Sequence, residues 1–393
     1  MRALPRPPLL SLGCLALVLL AGSRFTFAAD EIQSKRVHFK TADEVELSGT
    51  FYRSMPAAGK RDKDAVVLLL HDFRHKEGGG SKEAGLIHLA SQLQKEGYSV
   101  LTFDFRGFGK STSVNAEKFW LYSHNRGMRG VSRTKPPAAI DQKNFSAAYY
   151  PFLVNDITAA RSYLNILNDA GELNASNIIV IGAGQGATLG ALWMASECRR
   201  QRDPNSDKLF PDVFPAVWGP ATQFDSPEGN DLAAAVWLTI SPTLENRNVG
   251  KPLTQALVDT AKTAKIPTYF LYGSSDRAAE TLTNYHMKAI TMENGKELDQ
   301  KGVKKKAVPG VKDLKGSKML GVARTGDYIV DYLNRVLEDR GVRVKKARED
   351  KKFAFCWTIP WPEAARVRHI LAKVPGETVT RIIDPRVIGL NSR

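Results

Sequence analysis

Between Ala65 and Tyr272, short apolar runs alternate with stretches of helical spacing, and this alternation constrains the fold more than any other feature of the sequence. Ala65–Leu70 reads Ala-Val-Val-Leu-Leu-Leu, a continuous run expected of a central strand covered on both faces. Leu86, Leu89, Ala90 and Leu93 follow at helical spacing, and Gly97 stops that helix. The pattern then repeats. Ser99–Asp104 is a strand, and Leu153, Ile157, Ala160 and Leu164 mark a helix face. Asn177–Ile181 is a strand that runs through glycines into a helix over Gly186–Cys198. Ala233–Ile240 and Thr268–Tyr272 are two further strands, and Val45–Tyr52 alternates as a half-buried strand does. Strands alternating with helices predict an α/β fold: a mostly parallel central sheet flanked by helices on both faces.

Two stretches break the rhythm. Residues 115–144 are polar, basic and rich in Gly and Pro, and 199–230 hold five prolines. Both are expected to be polar insertions above the sheet rather than domains. The main body is expected over 36–340, with a last helix over Met319–Leu337. Residues 301–318 carry seven lysines and one acid. A basic C-terminal extension, 341–393, contains Phe353-Ala354-Phe355-Cys356-Trp357 and is expected to pack on the body.

At the N-terminus, Arg2 and Arg6 precede an apolar run from Leu9 to Ala21, and small residues follow up to Ala29. This is the pattern of a secretory signal peptide over 1–29, implying a secreted or periplasmic protein. The run is shorter than the ~20 residues that span a bilayer, and membrane attachment is expected only through an uncleaved segment. Cleavage removes three arginines, no acid and Cys14. Cys198 and Cys356 remain, either paired or as two buried thiols.

The chain has 393 residues and a formal charge of +15, with 43% hydrophobic residues, a content that excludes a disordered chain. In an exported protein this charge points to an anionic cell-surface polymer as a partner. Nucleic acid is not expected, because no stacking aromatics interleave with the lysines. Histidines are scattered and lack ligand spacing, so neither a metal nor another cofactor is expected. Gly182-x-Gly184-x-x-Ala187 matches a dinucleotide fingerprint, but a polar insertion stands where the strand with a ribose-binding acid belongs. Gly109-Lys110-Ser111-Thr112 resembles a phosphate loop, yet Asp104 holds the leading glycine's place and would oppose a phosphate.

Four segments carry a more specific signal. His71-Asp72-Phe73 follows the strand ending at Leu70. Asp104-Phe105-Arg106-Gly107-Phe108-Gly109-Lys110-Ser111 follows the strand at 99. Gly182-Ala183-Gly184-Gln185-Gly186 links a strand to a helix, and Tyr272-Gly273-Ser274-Ser275-Asp276 ends a late strand. In this order they resemble the α/β-hydrolase superfamily: the oxyanion turn, the structural Asp-x-Arg-Gly-x-Gly-x-Ser loop, the nucleophile elbow Gly-x-Ser-x-Gly and the segment of the triad acid. The resemblance implies oxyanion-type backbone groups at Phe73 and Gln185, a pocket holding His71 and Asp72, and Asp276 as the triad acid.

The departures are at the chemistry. Gly184 stands at the nucleophile position, and glycine has no atom that attacks carbon. Where the family's histidine is expected, before the last helix, the turn reads Leu314-Lys315-Gly316-Ser317. A protonated lysine accepts no proton. His286 falls on a helix, where a solvated or capping role is expected, and His369 lies far out in the extension. Two readings follow. In one, the chain is a hydrolase-fold protein without serine-hydrolase chemistry, a binding or structural module whose exposed elbow amides hold a small anionic ligand in the cleft. In the other, an esterase- or peptidase-like hydrolase uses water or an unusual nucleophile with Asp276, beside Asp72. Simpler roles stand beside these: Asp276 as a helix cap, Asp104 paired with Arg106 to brace a turn, and His71 as a core histidine.

Overall fold

Val66–Leu70 alternates its five buried side chains between two cores. Val66, Leu68 and Leu70 join one cluster, and Val67 and Leu69 join the other. A strand buried on both faces needs apolar residues throughout, and this segment supplies them. The computed structural model describes residues 33–73, 83–132, 134–198, 227–293, 296–298, 302–310, 314–322 and 324–345. The expected signal peptide, residues 199–226 of the second insertion and the extension beyond 345, including Cys356 and His369, lie outside the described residues.

Eight strands form the main sheet: β1 (Ser34–Lys40), β2 (Glu46–Tyr52), β3 (Val66–Leu70), β4 (Ser99–Phe103), β5 (Ile178–Ala183), β6 (Leu232–Leu238), β7 (Thr268–Gly273) and β8 (Val303–Val308). Their order is β1-β2-β4-β3-β5-β6-β7-β8. β2 is antiparallel to β1 and β4, and the remaining neighbours pair in parallel. Helices α1 (Ala84–Lys95) and α6 (Thr325–Arg340) pack on one face. On the other face lie α2 (Val154–Asp169), α3 (Gln185–Cys198) and α4 (Gly250–Leu257), joined by Ile290 of α5 (Arg277–Thr291). This is an α/β-hydrolase-like fold. Its mostly parallel sheet places the elbow, Asp72 and Asp276 at the carboxyl ends of β5, β3 and β7, the usual location of a site in such sheets.

Several sequence expectations change in the structure. The insertion at 115–144 carries buried aromatics: Phe119, Trp120 and Tyr122 are buried, and the Tyr122 hydroxyl donates to Ala42 O at 3.1 Å. Asp104 is not the partner of Arg106. The fully buried Arg106 guanidinium bonds Asp43 at 2.7 and 3.0 Å and Asp156 at 2.7 Å, while Asp104 accepts from Lys110 N at 3.0 Å. Burial would push Asp43 up, but Arg106 and His124 hold it well below the usual carboxylate range.

The helix expected over 319–337 is split. Gly316–Gly321 is a 3₁₀ turn, and α6 begins only after Arg324, whose φ of 70° breaks the helical run. The lysine-rich stretch contains β8, an edge strand with exposed residues from Lys304 to Ala307. Among the described residues no helix is long and apolar enough to cross a membrane. Cys198 is buried at the end of α3.

Candidate functional site

The turn from β5 into α3 has the geometry of an elbow. Gly184, between the two elements, adopts φ +54°, a left-handed conformation that favours glycine. Its amide donates to Leu238 O at 2.9 Å. At Gly186 an added Cβ would strike His71 O, so the β3 turn and the elbow are in close backbone contact.

A Cβ built on Gly184 would land on the carboxyl group of Asp72, overlapping Cγ and both oxygens. Asp72 thus fills the space into which a side chain at the elbow tip would project. Its Oδ1 accepts from the Gln185 amide at 3.2 Å, and the residue is fully buried. Gln185 N–H is the first amide of α3, where the helix dipole favours a negative charge. The position that an oxyanion or external ligand would take is occupied by a carboxylate of the chain itself. The Gln185 side chain is also engaged, with Oε1 accepting from Glu245 N at 2.6 Å.

His71 and Asp72 were expected to line a pocket, but both are fully buried. Phe105 N–H donates to His71 Nε2 at 3.1 Å, so this nitrogen carries the lone pair. Nδ1 then bears the proton and donates to Asp72 O at 3.1 Å. With Phe73, Phe105 and Phe108 around its ring, His71 is a satisfied core histidine. The Phe73 ring is buried in the same cluster.

Asp276 and Lys315 are brought together. Asp276 caps α5, its Oδ1 accepting from Ala279 N at 3.0 Å. Lys315 Nζ lies 3.4 Å from Asp276 Oδ2, an ion-pair contact too long for a good hydrogen bond. The lysine is 45% exposed, whereas the carboxylate is 8% exposed. A lysine therefore stands against the acid where a histidine base is expected; Oδ1 is held by the cap bond, while Oδ2 faces the ammonium without a hydrogen-bond partner. His286 is neither solvated nor a cap. It is buried between α5 and α4, Nδ1 lies 3.3 Å from Thr254 Oγ1, and burial lowers its pKa to about 4.

One residue of the site escaped the sequence reading. Glu83 precedes α1 and is 8% exposed, with neither carboxyl oxygen in a normal hydrogen bond. Burial raises its pKa to about 8; the Ser317 side chain opposes this rise, and the charges of Asp72 and Asp104 add to it. In sequence it looks like any acid at a helix start, so nothing there marks it. Glu83 connects the site: α1 packs against the Ser317 turn, two residues beyond Lys315, and Asp72 lies within electrostatic reach. Among the described residues no cluster of His, Cys, Asp or Glu is arranged to hold a metal. A polar cleft of about 410 Å³ opens beside Ala65, Ser99 and Asn174, at the opposite ends of the strands, and none of these site residues lines it.

No protein-family model matches the sequence, and no curated protein matches it. Among solved structures, the chain is similar to an esterase from Pyrococcus furiosus (15% identity, 77% of this chain and 91% of that one, TM-score 0.43). It is also similar to a dienelactone hydrolase from Anabaena variabilis (14%, 78% and 97%, TM-score 0.43). A third likeness is a putative α/β hydrolase of unknown function from Agrobacterium tumefaciens (15%, 79% and 100%, TM-score 0.44). At these identities and TM-scores the likenesses carry no activity to this chain. The fold assignment rests on the sheet and the elbow described above.

Proposed function

We propose that this chain is an exported α/β-hydrolase-fold protein without serine-hydrolase activity that serves as a binding or structural module. One observation carries the reading: the Asp72 carboxyl fills the elbow tip that Gly184 leaves bare and takes the Gln185 amide. An acyl transfer needs an attacking atom, a base and free donors for the developing oxyanion. Glycine removes the first. The Lys315–Asp276 ion pair replaces the second. Asp72 consumes a donor of the third. A small anionic ligand at the elbow would have to displace Asp72. Export is supported by the N-terminal pattern alone, and sequencing the mature N-terminus tests it. Incubation with a fluorophosphonate probe and a panel of esters and amides tests the rest. No labelling and no turnover is the expected result; labelling that maps to a residue around the elbow overturns the proposal.

A second reading has one observation in its favour. Glu83, with its pKa pushed up to about 8, lies within electrostatic reach of Asp72, and a protonated acid near a carboxylate is a recurrent acid–base arrangement. On this reading the chain is a hydrolase in which Asp72 activates water and Glu83 donates a proton. Asp276 is a poor choice for that task, because one oxygen is held by the cap bond and the other faces the Lys315 cation. Turnover that survives Asp276→Asn and vanishes in both Asp72→Asn and Glu83→Gln supports this second reading.

A further inference from the structure

The structure points to a docking surface on the edge of the sheet, three strands from the elbow: we propose that β8 receives an extended acidic peptide segment as an added strand. The inference is independent of whether the elbow is catalytic.

β8 is the terminal strand of the sheet order, and its residues from Lys304 to Ala307 are exposed. Gly302 O accepts from Thr268 N at 3.0 Å and Val308 O from Ser274 N at 3.0 Å. Residues of even number therefore turn their backbone groups toward β7. By the alternation of a strand, the amides and carbonyls of Val303, Lys305 and Ala307 point away from the sheet. That leaves a row of donors and acceptors without a neighbouring strand among the described residues.

The charges on this edge are one-sided. Lys306 lies over the Tyr328 ring of α6 at 4.8 Å from its centroid, and Lys304 shares that face. Lys305 points the other way and donates to Asn284 of α5. Three consecutive residues thus put cations on both sides of an open edge. β8 contains no acid, and none of the three lysines makes an ion pair with a described residue.

A lysine on an edge strand commonly serves to prevent pairing. Here the guard is also a filter. A second copy of this edge would set lysine against lysine, which is unfavourable. A neutral strand would bring no compensating charge. A strand with three consecutive acids meets Lys304 and Lys306 on one face and Lys305 on the other. The backbone narrows the choice further. A polysaccharide or nucleic-acid polyanion does not present donors and acceptors alternating at the spacing of a strand, whereas a peptide strand matches the outward amides and carbonyls alike. Repulsion of wrong partners combined with attraction of one class is how specificity is commonly obtained.

The test uses the full chain and a fluorescent heptapeptide, Val-Thr-Glu-Glu-Glu-Thr-Val, read by anisotropy at low salt. Saturable binding is expected, weakened at least tenfold when alternate peptide amides are N-methylated. A similar loss is expected in the triple variant Lys304→Gln, Lys305→Gln, Lys306→Gln. Hydrogen exchange at Val303, Lys305 and Ala307 should slow on binding. Equal binding of the methylated peptide overturns strand addition, because charge alone then suffices. Absence of binding overturns it too, as does a heparin oligosaccharide that binds more tightly than the peptide and protects the same amides. The methylated-peptide arm uses the unaltered protein, so it stands even if the triple variant misfolds.

Discussion

The carboxylate of Asp72 occupies the volume that a side chain on Gly184 would need. The two residues are a matched pair: glycine at the tip leaves the room, and the acid from the neighbouring turn uses it. The acid also satisfies the Gln185 amide at the start of α3. Loss of a nucleophile would leave a small void and an unbonded helix amide. Here neither remains.

Restoring serine at the tip is therefore expected to do harm rather than restore function. Gly184→Ser places Cβ on the Asp72 carboxyl and forces a non-glycine residue to φ +54°. The backbone alone costs ~1–2 kcal/mol, and the overlap adds to it. Urea denaturation of Gly184→Ser, of Asp72→Gly and of the double variant checks this. The double variant should recover at least ~1 kcal/mol relative to the sum of the singles, as expected of coupled neighbours. None of the three should hydrolyse esters, since Lys315 still faces Asp276.

Removing the internal anion should expose its site. Asp72→Ala leaves the Gln185 amide buried without an acceptor, at a cost of ~1–3 kcal/mol. Inorganic phosphate is then expected to raise the melting temperature of Asp72→Ala in a concentration-dependent way, since a ligand of the folded state stabilises it. The unaltered protein, whose elbow amide is already bonded, should show no such dependence.

The partners Asp276 and Lys315 should contribute unequally. Lys315 is 45% exposed, so its ion pair is screened and Lys315→Ala should cost less than ~1 kcal/mol. Asp276→Ala removes that pair together with the cap on α5, which raises the loss to ~1–2 kcal/mol. Thermal unfolding of both variants measures the difference. A larger loss in Lys315→Ala than in Asp276→Ala contradicts this assignment.

The central strands were legible because their chemistry is local. Val66–Leu70 and Ile178–Ala183 are apolar runs that fit only a strand buried on both faces. β8 was not legible: Val-Lys-Lys-Lys-Ala-Val has neither alternation nor an apolar run, and pairing with β7 alone makes it a strand. The elbow was readable from its glycines. Its occupant was not, because Asp72 and Gly184 are 112 residues apart and only the fold brings them together. Arg106 shows the same limit: the sequence marks a structural loop, while its partners Asp43 and Asp156 come from distant segments. Glu83 carries no local sign of its burial.

That arginine ties the 115–144 segment to the body. Asp43 accepts from Arg106 and from Asn125 Nδ2 at 3.2 Å, and the Tyr149 hydroxyl joins the same network. Arg106→Ala would strand two buried carboxylates, a change that typically costs ~3–5 kcal/mol. Arg106→Lys should recover little, because an ammonium lacks the fork that spans Asp43 and Asp156. Limited proteolysis should then cut first within 115–144, and denaturation should show the loss of stability for both variants.

Glu83 sets a pH dependence of definite sign. Its pKa is about 8 in the fold against an ordinary value of 4.5, so over that window the folded state holds a proton that the unfolded state has released. Stability from this group is highest below 4.5, falls as the pH rises through the window and is fully lost above about 8. Moving a carboxyl over that range corresponds to ~5 kcal/mol at most. The opposite trend comes from His286, held near 4 by burial: its contribution is lost as the pH falls from 6.5 toward 4. Between pH 6.5 and 8.5 the Glu83 slope should therefore stand apart from that of His286. Glu83→Gln keeps the shape, removes the proton and should flatten the fall in urea-denaturation stability across that interval. A variant that loses stability as steeply as the unaltered protein would place the titrating group elsewhere.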